Sequence, residues 1–305
     1  MKYMFEANNL CKHYGSSKAV DGLNMAIPEG SIYGFVGKNG AGKTTLMRLM
    51  CGLQRPTEGS YKLMGVEYTD KKNILSVRKR MGAVVESPAI YGGLSARENL
   101  KLQCLNVGLP DYKDVDEILT LVGLTDTGRK KAKNFSLGMR QRLGIAVALI
   151  AHPDFLILDE PTNGLDPQGI IEMRELILKL NKEKGITILI SSHILDELAK
   201  LATHYGFIDH GKMVKEMSAE ELEKSCRKSI RMKVEDTKIL AGIMERKGIE
   251  YKVIDEKVAD IFTEVKFSEI AAEFAKEGCD IISMEEHDES LESFFISLIG
   301  GEKNE

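Results

Sequence analysis

The sequence predicts an α/β protein with a parallel-sheet core and a small C-terminal α+β domain, and three observations lead to this prediction. Apolar runs without polar alternation, at residues 155–158 and 186–192, are typical of strands buried on both faces of a parallel sheet. Helical patterns such as residues 170–184 separate these strands, as a parallel sheet requires. After residue 217 a new pattern of shorter strands and helices begins, which indicates a second domain.

Length and charge agree with two domains. The 305 residues are enough for two units of usual size, and a content of 43% hydrophobic and 29% charged residues is ordinary for a globular protein. The net charge of −4 gives no general reason to expect nucleic-acid binding. Residues 218–305 carry 13 basic and 22 acidic side chains, whereas residues 1–217 carry 29 basic and 24 acidic ones. We therefore predict domains at 1–217 and 218–305.

The first domain begins with β structure and then changes character. Residues 1–35 alternate polar and apolar side chains between turn signals, which predicts a β-rich opening. Residues 95–150 instead read as a helical insert. Ser95 opens this insert with the spacing of a capping box to Glu98, and further helical patterns cover residues 114–122 and 139–150.

The second domain shows the order strand, helix, strand, strand, helix, strand, which predicts a ferredoxin-like unit. A short helix at residues 218–224 precedes it. The predicted strands are 229–235, 250–255, 258–264 and 280–286, and the predicted helices are 237–247, 268–277 and a last one at 290–299.

A glycine-rich segment, G-K-N-G-A-G-K-T, lies between an apolar strand at residues 32–36 and an apolar helix at 44–53. It matches the phosphate-loop pattern, because glycines let backbone N–H groups wrap phosphate oxygens and the helix N-terminus adds partial positive charge. We expect Lys43 to reach the β- and γ-phosphates and the Thr44 hydroxyl to bind Mg²⁺. The alternative, a glycine-rich turn that binds nothing, is disfavoured by the flanking elements. The expected nucleotide-binding residues are Gly37, Lys38, Asn39, Gly40, Ala41, Gly42, Lys43, Thr44 and Thr45.

Two acids follow the apolar strand at residues 155–158. The carboxyl ends of parallel strands form the edge where open α/β sheets bind ligands. Asp159 is placed there to hold Mg²⁺, and Glu160 is placed to take a proton from an attacking water. Alone, the pair could equally be solvated acids at a strand end, but an upstream phosphate loop favours the functional interpretation.

A third segment, F-S-L-G-M-R-Q-R at residues 135–142, precedes a helix. Ser136 is a natural N-cap, and Gly138 would let a ligand approach the backbone closely. The segment could therefore bind an anion at a helix N-terminus. By itself, an ordinary capped helix is the better interpretation.

Together, and in this order, the segments resemble the ATP-binding subunits of ABC transporters over about residues 4–216. The glycine-rich loop is similar to the family's Walker A motif, and the strand with its two acids to Walker B. Other site residues rest on the resemblance: Tyr14 as the ring against adenine, Asp166 in the D-loop and His193 as the switch histidine. Alone, Tyr14 would be an ordinary strand aromatic and His193 a core histidine.

The resemblance implies a fold with an antiparallel β subdomain and a helical signature subdomain attached to the parallel-sheet core. It implies Lys43, Glu160 and His193 as catalytic residues. The usual signature L-S-G-G-Q reads F-S-L-G-M here, which keeps Ser136 and Gly138, the implied γ-phosphate contacts.

A second departure concerns the Q-loop. Glu86 replaces the family's usual glutamine, and a carboxylate there could approach Mg²⁺. This substitution and the altered signature resemble the branch linked to bacitracin and lantibiotic resistance.

The resemblance also implies partners. Two copies of the chain would enclose two ATP–Mg²⁺ at their interface and drive a separate polytopic membrane permease, from the cytoplasmic face of the membrane, in export or self-protection. A soluble ABC ATPase acting in assembly or scaffolding is the alternative function. A nucleic-acid partner is not expected, because the charge balance is acidic and the sequence lacks long coiled-coil heptads.

Overall fold

A computed structural model of the chain describes residues 2–109, 111–225, 228–262 and 267–288. The chain divides into two compact units, Met1–Ala219 and Glu220–Glu305. Within the described residues, no helix has both the length and the hydropathy needed to cross a bilayer.

The strands of the described residues are β1 (Tyr3–Tyr14), β2 (Ser17–Pro28), β3 (Ile32–Val36), β4 (Glu58–Leu63), β5 (Val66–Glu67), β6 (Met81–Val84), β7 (Phe155–Asp159), β8 (Thr187–Ser192), β9 (His204–Asp209), β10 (Lys212–Ser218), β11 (Lys228–Val234), β12 (Tyr251–Val253), β13 (Val258–Ile261) and β14 (Ile281–Asp288).

The helices are α1 (Lys43–Met50), α2 (Ile74–Arg78), α3 (Ala96–Val107), α4 (Val115–Leu121), α5 (Leu137–Leu149), α6 (Pro167–Lys184), α7 (Leu195–Ala199), α8 (Ala219–Ser225), α9 (Thr237–Lys247) and α10 (Phe267–Glu277). Two short 3₁₀ turns, Thr125–Thr127 and Ala132–Asn134, lie between α4 and α5.

The central sheet has six strands in the order β10-β9-β3-β8-β7-β6. The pairings from β9 across to β6 are parallel, and β10 joins β9 as an antiparallel edge strand. Every residue of β3, β7 and β8 is buried, as is typical of parallel strands that are covered on both faces. The carboxyl ends of these three strands therefore meet at one edge of the sheet, which is where the site forms.

A four-stranded antiparallel sheet, in the order β2-β1-β4-β5, packs against the helix that follows the phosphate loop. Leu46, Met47, Leu49 and Met50 of α1 are fully buried in one core with the apolar residues of β1, β2 and β4. This packing fixes the direction in which the N-terminus of α1 points.

The helical insert begins where the sequence predicts. The Ser95 side chain accepts a hydrogen bond from the Glu98 N–H at 3.3 Å, and Glu98 Oε2 accepts one from the Ser95 N–H at 2.6 Å. The hydrogen bond from the Ser95 N–H, with a smaller contribution from Lys131, lowers the pKa of the Glu98 carboxyl to about 2. The predicted capping box is confirmed.

One part of the first unit differs from the sequence analysis, in which no strands were predicted between His193 and residue 218. The structure has a hairpin there, β9 and β10, with its turn at His210 and Gly211. The sequence does not predict β10, because an edge strand needs no apolar run and this strand contains three charged residues. Its Glu216 nonetheless accepts a hydrogen bond from the buried Tyr33 hydroxyl at 2.5 Å, and burial raises the pKa of both groups.

The second unit contains an antiparallel sheet in the order β12-β13-β11-β14, with α9 and α10 supplying residues to its core. This order and the sequence of elements are those of a ferredoxin-like unit, so the predicted fold class is confirmed. The core includes Met232, Leu240, Met244, Ile261 and Phe274, all buried. The predicted last helix at residues 290–299 lies outside the described residues.

Each unit has its own apolar core within the described residues, so the first unit should be stable without the second. A chain ending at Ala219 should fold and bind ATP with unchanged Kd, because every predicted nucleotide contact precedes that residue. Circular dichroism and titration with a fluorescent ATP analogue would measure this, with the same short chain carrying Lys43→Ala as the control. A short chain that folds and does not bind ATP would contradict the domain division.

Candidate functional site

The phosphate loop connects the end of β3 to the start of α1, and two of its glycines are required by close approach. A Cβ at Gly42 would lie 2.3 Å from the Ala19 carbonyl oxygen, and one at Gly37 would lie 2.6 Å from the Ile208 carbonyl oxygen. Gly42 also has φ of 112°, in the left-handed region that side chains disfavour. The loop is thus held against β2 and β9 in a shape that other residues could not adopt.

The loop borders a cleft of about 180 Å³ at the sheet edge. Most of the predicted loop residues line it, and a carboxylate from β7's end completes it. The lining residues are Ala19, Lys38, Asn39, Gly40, Gly42, Lys43, Thr44, Thr45 and Glu160.

Lys43 is the buried cation of this cleft, with 6% of its side chain exposed. Its Nζ donates to the Gly37 carbonyl oxygen at 2.5 Å and to the Lys38 carbonyl oxygen at 3.3 Å. The same Nζ lies 3.3 Å from Glu160 Oε1. The ammonium group therefore connects the loop backbone with the predicted general base.

Asp159 connects three elements of the site. Its Oδ2 accepts a hydrogen bond from the Thr44 hydroxyl at 2.8 Å, and its Oδ1 accepts one from the Ser191 hydroxyl at 2.6 Å. Ser191 Oγ in turn accepts the Glu160 N–H at 2.9 Å. Thr44 and Asp159 thus present adjacent hydroxyl and carboxylate oxygens, the donor type that Mg²⁺ prefers.

Ser191 is a residue that the sequence analysis missed. It lies opposite Asp159 in the parallel pairing of β7 with β8. A serine near the end of a buried strand carries little signal of its own. The register of the two strands would have been needed to find it.

Glu160 takes part in a second set of contacts. Its Oε2 lies 2.7 Å from His193 Nδ1, so the carboxylate lies between Lys43 and the predicted switch histidine. Its Oε1 is buried and forms no hydrogen bond, because the contact with Lys43 is an ion pair only. The residue has φ of 48°, which is uncommon for a non-glycine residue and common at functional sites.

Glu86 is not among the residues that line the cleft. It follows β6, and its carboxylate pairs with the guanidinium of Arg48 on α1 rather than with Thr44 or Asp159. Its side chain is 58% exposed. Its role as an Mg²⁺ ligand stays a prediction.

Tyr14 ends β1 and is 44% exposed. Its hydroxyl hydrogen-bonds to Gln54, and Lys12 Nζ lies 5.2 Å from the ring centroid. The ring is accessible to a ligand, but Tyr14 is not among the residues that line the cleft.

Three further predicted residues belong to helix starts outside the cleft. Ser136 caps α5 by accepting the Met139 N–H at 3.3 Å, and Asp166 caps α6 by accepting the Gly169 N–H at 3.1 Å. Gly138 lies in the first turn of α5. The structure therefore brings Lys43, Thr44, Asp159, Glu160 and His193 together, and it leaves the signature and D-loop residues apart from them within one chain.

Comparisons with known proteins find related sequences and a related fold. The family described as "ABC transporter" matches residues 20–163. The bacitracin transport ATP-binding protein BcrA of Bacillus licheniformis is 42% identical over 305 residues, which cover 99% of each chain. The lantibiotic transport ATP-binding protein SrtF of Streptococcus pyogenes is 44% identical over 213 residues, covering 70% of this chain and 90% of SrtF.

Among solved structures, the dimeric ATP-binding cassette MJ0796 bound to ADP and Pi superposes with a TM-score of 0.63 and 25% identity, covering 71% of this chain and 99% of that one. Lys43, Thr44, Asp159 and Glu160 lie within the segment that matches the family. The chain therefore belongs to the family of ABC transporter ATP-binding proteins, which bind ATP and hydrolyse it to power transport.

Proposed function

We propose that this chain is the ATP-hydrolysing subunit of an exporter that removes an antimicrobial peptide or a similar compound. In this proposal two copies close around two ATP–Mg²⁺ and drive a separate membrane permease from the cytoplasmic face of the membrane. The observation that carries the proposal is the contact of Glu160 with both Lys43 and His193 beside the phosphate-loop cleft. The substrate class is supported by the full-length similarity to a bacitracin transport protein.

The cleft supports nucleotide and metal binding in this proposal. The oxygens of Thr44 and Asp159 fit Mg²⁺, which would neutralise phosphate charge when bound. Glu86 is proposed as a further oxygen ligand, and Tyr14 as the ring that stacks on adenine. Lys43 would exchange its carbonyl partners for phosphate oxygens.

Proton transfer is assigned to Glu160. A carboxylate can act as general base when one oxygen faces the substrate and the other is held in place. His193 holds Oε2, and the buried Oε1 faces the loop without a hydrogen bond. We infer that Oε1 takes the proton of the attacking water and that His193 fixes the orientation of the carboxylate.

The position of Ser136 and Gly138 outside the cleft of one chain supports the proposed dimer. Ser136 and Gly138 lie at the N-terminus of α5, a position that favours an anion, yet neither lines the cleft. Leu137 between them is 37% exposed. A second copy facing the first would supply these groups, with Asp166, to the γ-phosphate that the loop alone neutralises only in part.

A groove in the first unit supports a protein partner. It has a volume of about 660 Å³ and lies between β6 and the helices α3 and α5. Met81, Val84, Val107 and Leu109 are among its lining residues, and Val107 and Leu109 are both exposed. We propose that a cytoplasmic segment of the permease docks in this groove, beside the chain segment that carries Glu86.

Lys43→Ala should abolish ATP hydrolysis and weaken nucleotide binding. Lys43 lines the cleft and is buried there. Its loss would therefore deprive the phosphates of a charged hydrogen-bond donor. Phosphate release and fluorescent-nucleotide titration measure the two effects. Lys62→Ala, which changes an exposed pair with Glu67, is the matched control. Unchanged hydrolysis in Lys43→Ala would show that the loop does not serve as the phosphate site.

Glu160→Gln should slow hydrolysis about 10²–10⁴-fold while ATP binding stays intact, because the amide cannot accept the proton. The variant should accumulate as an ATP-bound dimer on size-exclusion chromatography. Glu67→Gln, on the surface of the antiparallel sheet, is the control.

A monomeric Glu160→Gln variant in saturating ATP would contradict the dimer proposal.

Export is tested in cells that carry the chain together with its permease. These cells should tolerate more bacitracin than cells with Glu160→Gln. Equal tolerance, with hydrolysis confirmed in the purified wild-type protein, would instead favour the assembly or scaffolding alternative.

Glu86→Ala should impair peptide tolerance more than ATP binding, because we propose that this loop transmits the nucleotide state to the permease. Arg48→Ala is the matched variant, since it breaks the same ion pair and keeps the carboxylate. It should retain tolerance if the carboxylate itself is what matters. Full tolerance with Glu86→Ala would reduce Glu86 to a surface acid.

A further inference from the structure

We propose that Cys11, His13 and Asp21 form a binding site for a zinc-type divalent cation on the antiparallel sheet. One ligand atom from each residue, a thiol sulfur, an imidazole nitrogen and a carboxylate oxygen, lies within 4.8 Å of the other two. None of the three residues lines the phosphate-loop cleft. The proposal is therefore separate from the proposed binding of ATP–Mg²⁺.

The strands explain why these side chains meet. Cys11 and His13 are two residues apart on β1, so their side chains project from the same face. Between the ladder pairs that flank Cys11, the neighbouring strand β2 supplies two residues, Asp21 and Gly22, opposite this single residue. Such a β-bulge re-aims a side chain, and here it directs Asp21 towards the pair on β1.

A buried nitrogen is the second observation. His13 Nε2 is buried and has no hydrogen-bond partner, although buried polar atoms are usually paired. Cys11 is only 8% exposed, and its sulfur accepts the Gly22 N–H at 3.1 Å. That hydrogen bond would account for a structural cysteine. It does not account for the unpaired Nε2 of His13, which a metal ion would satisfy.

The donor set identifies the class of cation. Thiolate, imidazole and carboxylate together are ligands of Zn²⁺, whereas Mg²⁺ prefers oxygen ligands alone. Three protein ligands leave a fourth position for water in a tetrahedral site. The site should therefore select Zn²⁺ or Co²⁺ in the presence of excess Mg²⁺.

Charge balance is consistent with a divalent cation. Asp21 Oδ1 lies 3.2 Å from Lys18 Nζ, and its Oδ2 lies 3.8 Å from Lys212 Nζ. Both lysines are exposed and can turn into solvent. On metal binding the thiol proton of Cys11 passes to solvent, and thiolate plus carboxylate then neutralise the two positive charges.

Cobalt absorption tests the proposal on the full chain. The protein is first treated with a chelator and then titrated with Co²⁺ in excess Mg²⁺. We expect one Co²⁺ per chain, a thiolate-to-cobalt charge-transfer band in the near ultraviolet, and loss of that band when Zn²⁺ is added. Cys11→Ser should remove the band. His13→Gln and Asp21→Asn should each weaken Co²⁺ binding at least about tenfold, a loss seen even when only a supporting residue of a metal site is removed.

Cys104→Ser and His152→Gln are matched controls, because both residues lie outside the antiparallel sheet, and they should keep the band. Thermal melting shows whether each variant is folded. If Cys11→Ser fails to fold, His13→Gln decides the result, since it changes a less buried side chain. Absence of a band in the wild-type protein, persistence of the band in folded Cys11→Ser, or unchanged affinity in folded His13→Gln would overturn the proposal.

Discussion

The hydrogen bonds accepted by the Asp159 carboxylate are the interactions on which the rest of the site depends. Asp159 ends β7, binds the first turn of α1 through Thr44, and binds β8 through Ser191. Hydrogen bonds to a charged group are each worth about 1.5–3 kcal/mol, so this buried carboxylate strongly couples three elements. Ser191 also accepts the Glu160 N–H, so the contacts that hold the proposed Mg²⁺ ligands also fix the backbone of Glu160, the proposed general base.

The phosphate loop is restrained from the opposite side by the backbone of neighbouring strands. The carbonyl groups of Ala19 and Ile208 approach Gly42 and Gly37 so closely that no side chain fits. The antiparallel sheet and the edge hairpin β9–β10 therefore do more than cover the core. They fix the position of the loop, so that the ammonium of Lys43 and the hydroxyl of Thr44 face the acids at the end of β7.

The sequence could predict those parts of the fold and site that depend on local pattern. The glycine spacing identifies the loop, the apolar run before Asp159 identifies its strand, and the Ser95 capping box identifies a helix start. Contacts that depend on register or on distant segments could not be predicted in this way. Ser191 needs the pairing of β7 with β8, and the Glu86 ion pair needs the approach of Arg48 from α1. The cluster at Cys11 likewise needs a bulge that no local pattern signals.

Under the proposed role of Glu160 as general base, selection for stability and selection for turnover oppose each other at this position. A left-handed φ of 48° destabilises a non-glycine residue by about 1–3 kcal/mol relative to glycine. A population of sequences selected only for thermal resistance would drift towards glycine here and lose the carboxylate. The persistence of glutamate at this position would therefore be a sign of continued demand for hydrolysis, and glycine in a related chain would mark a subunit that binds nucleotide without consuming it.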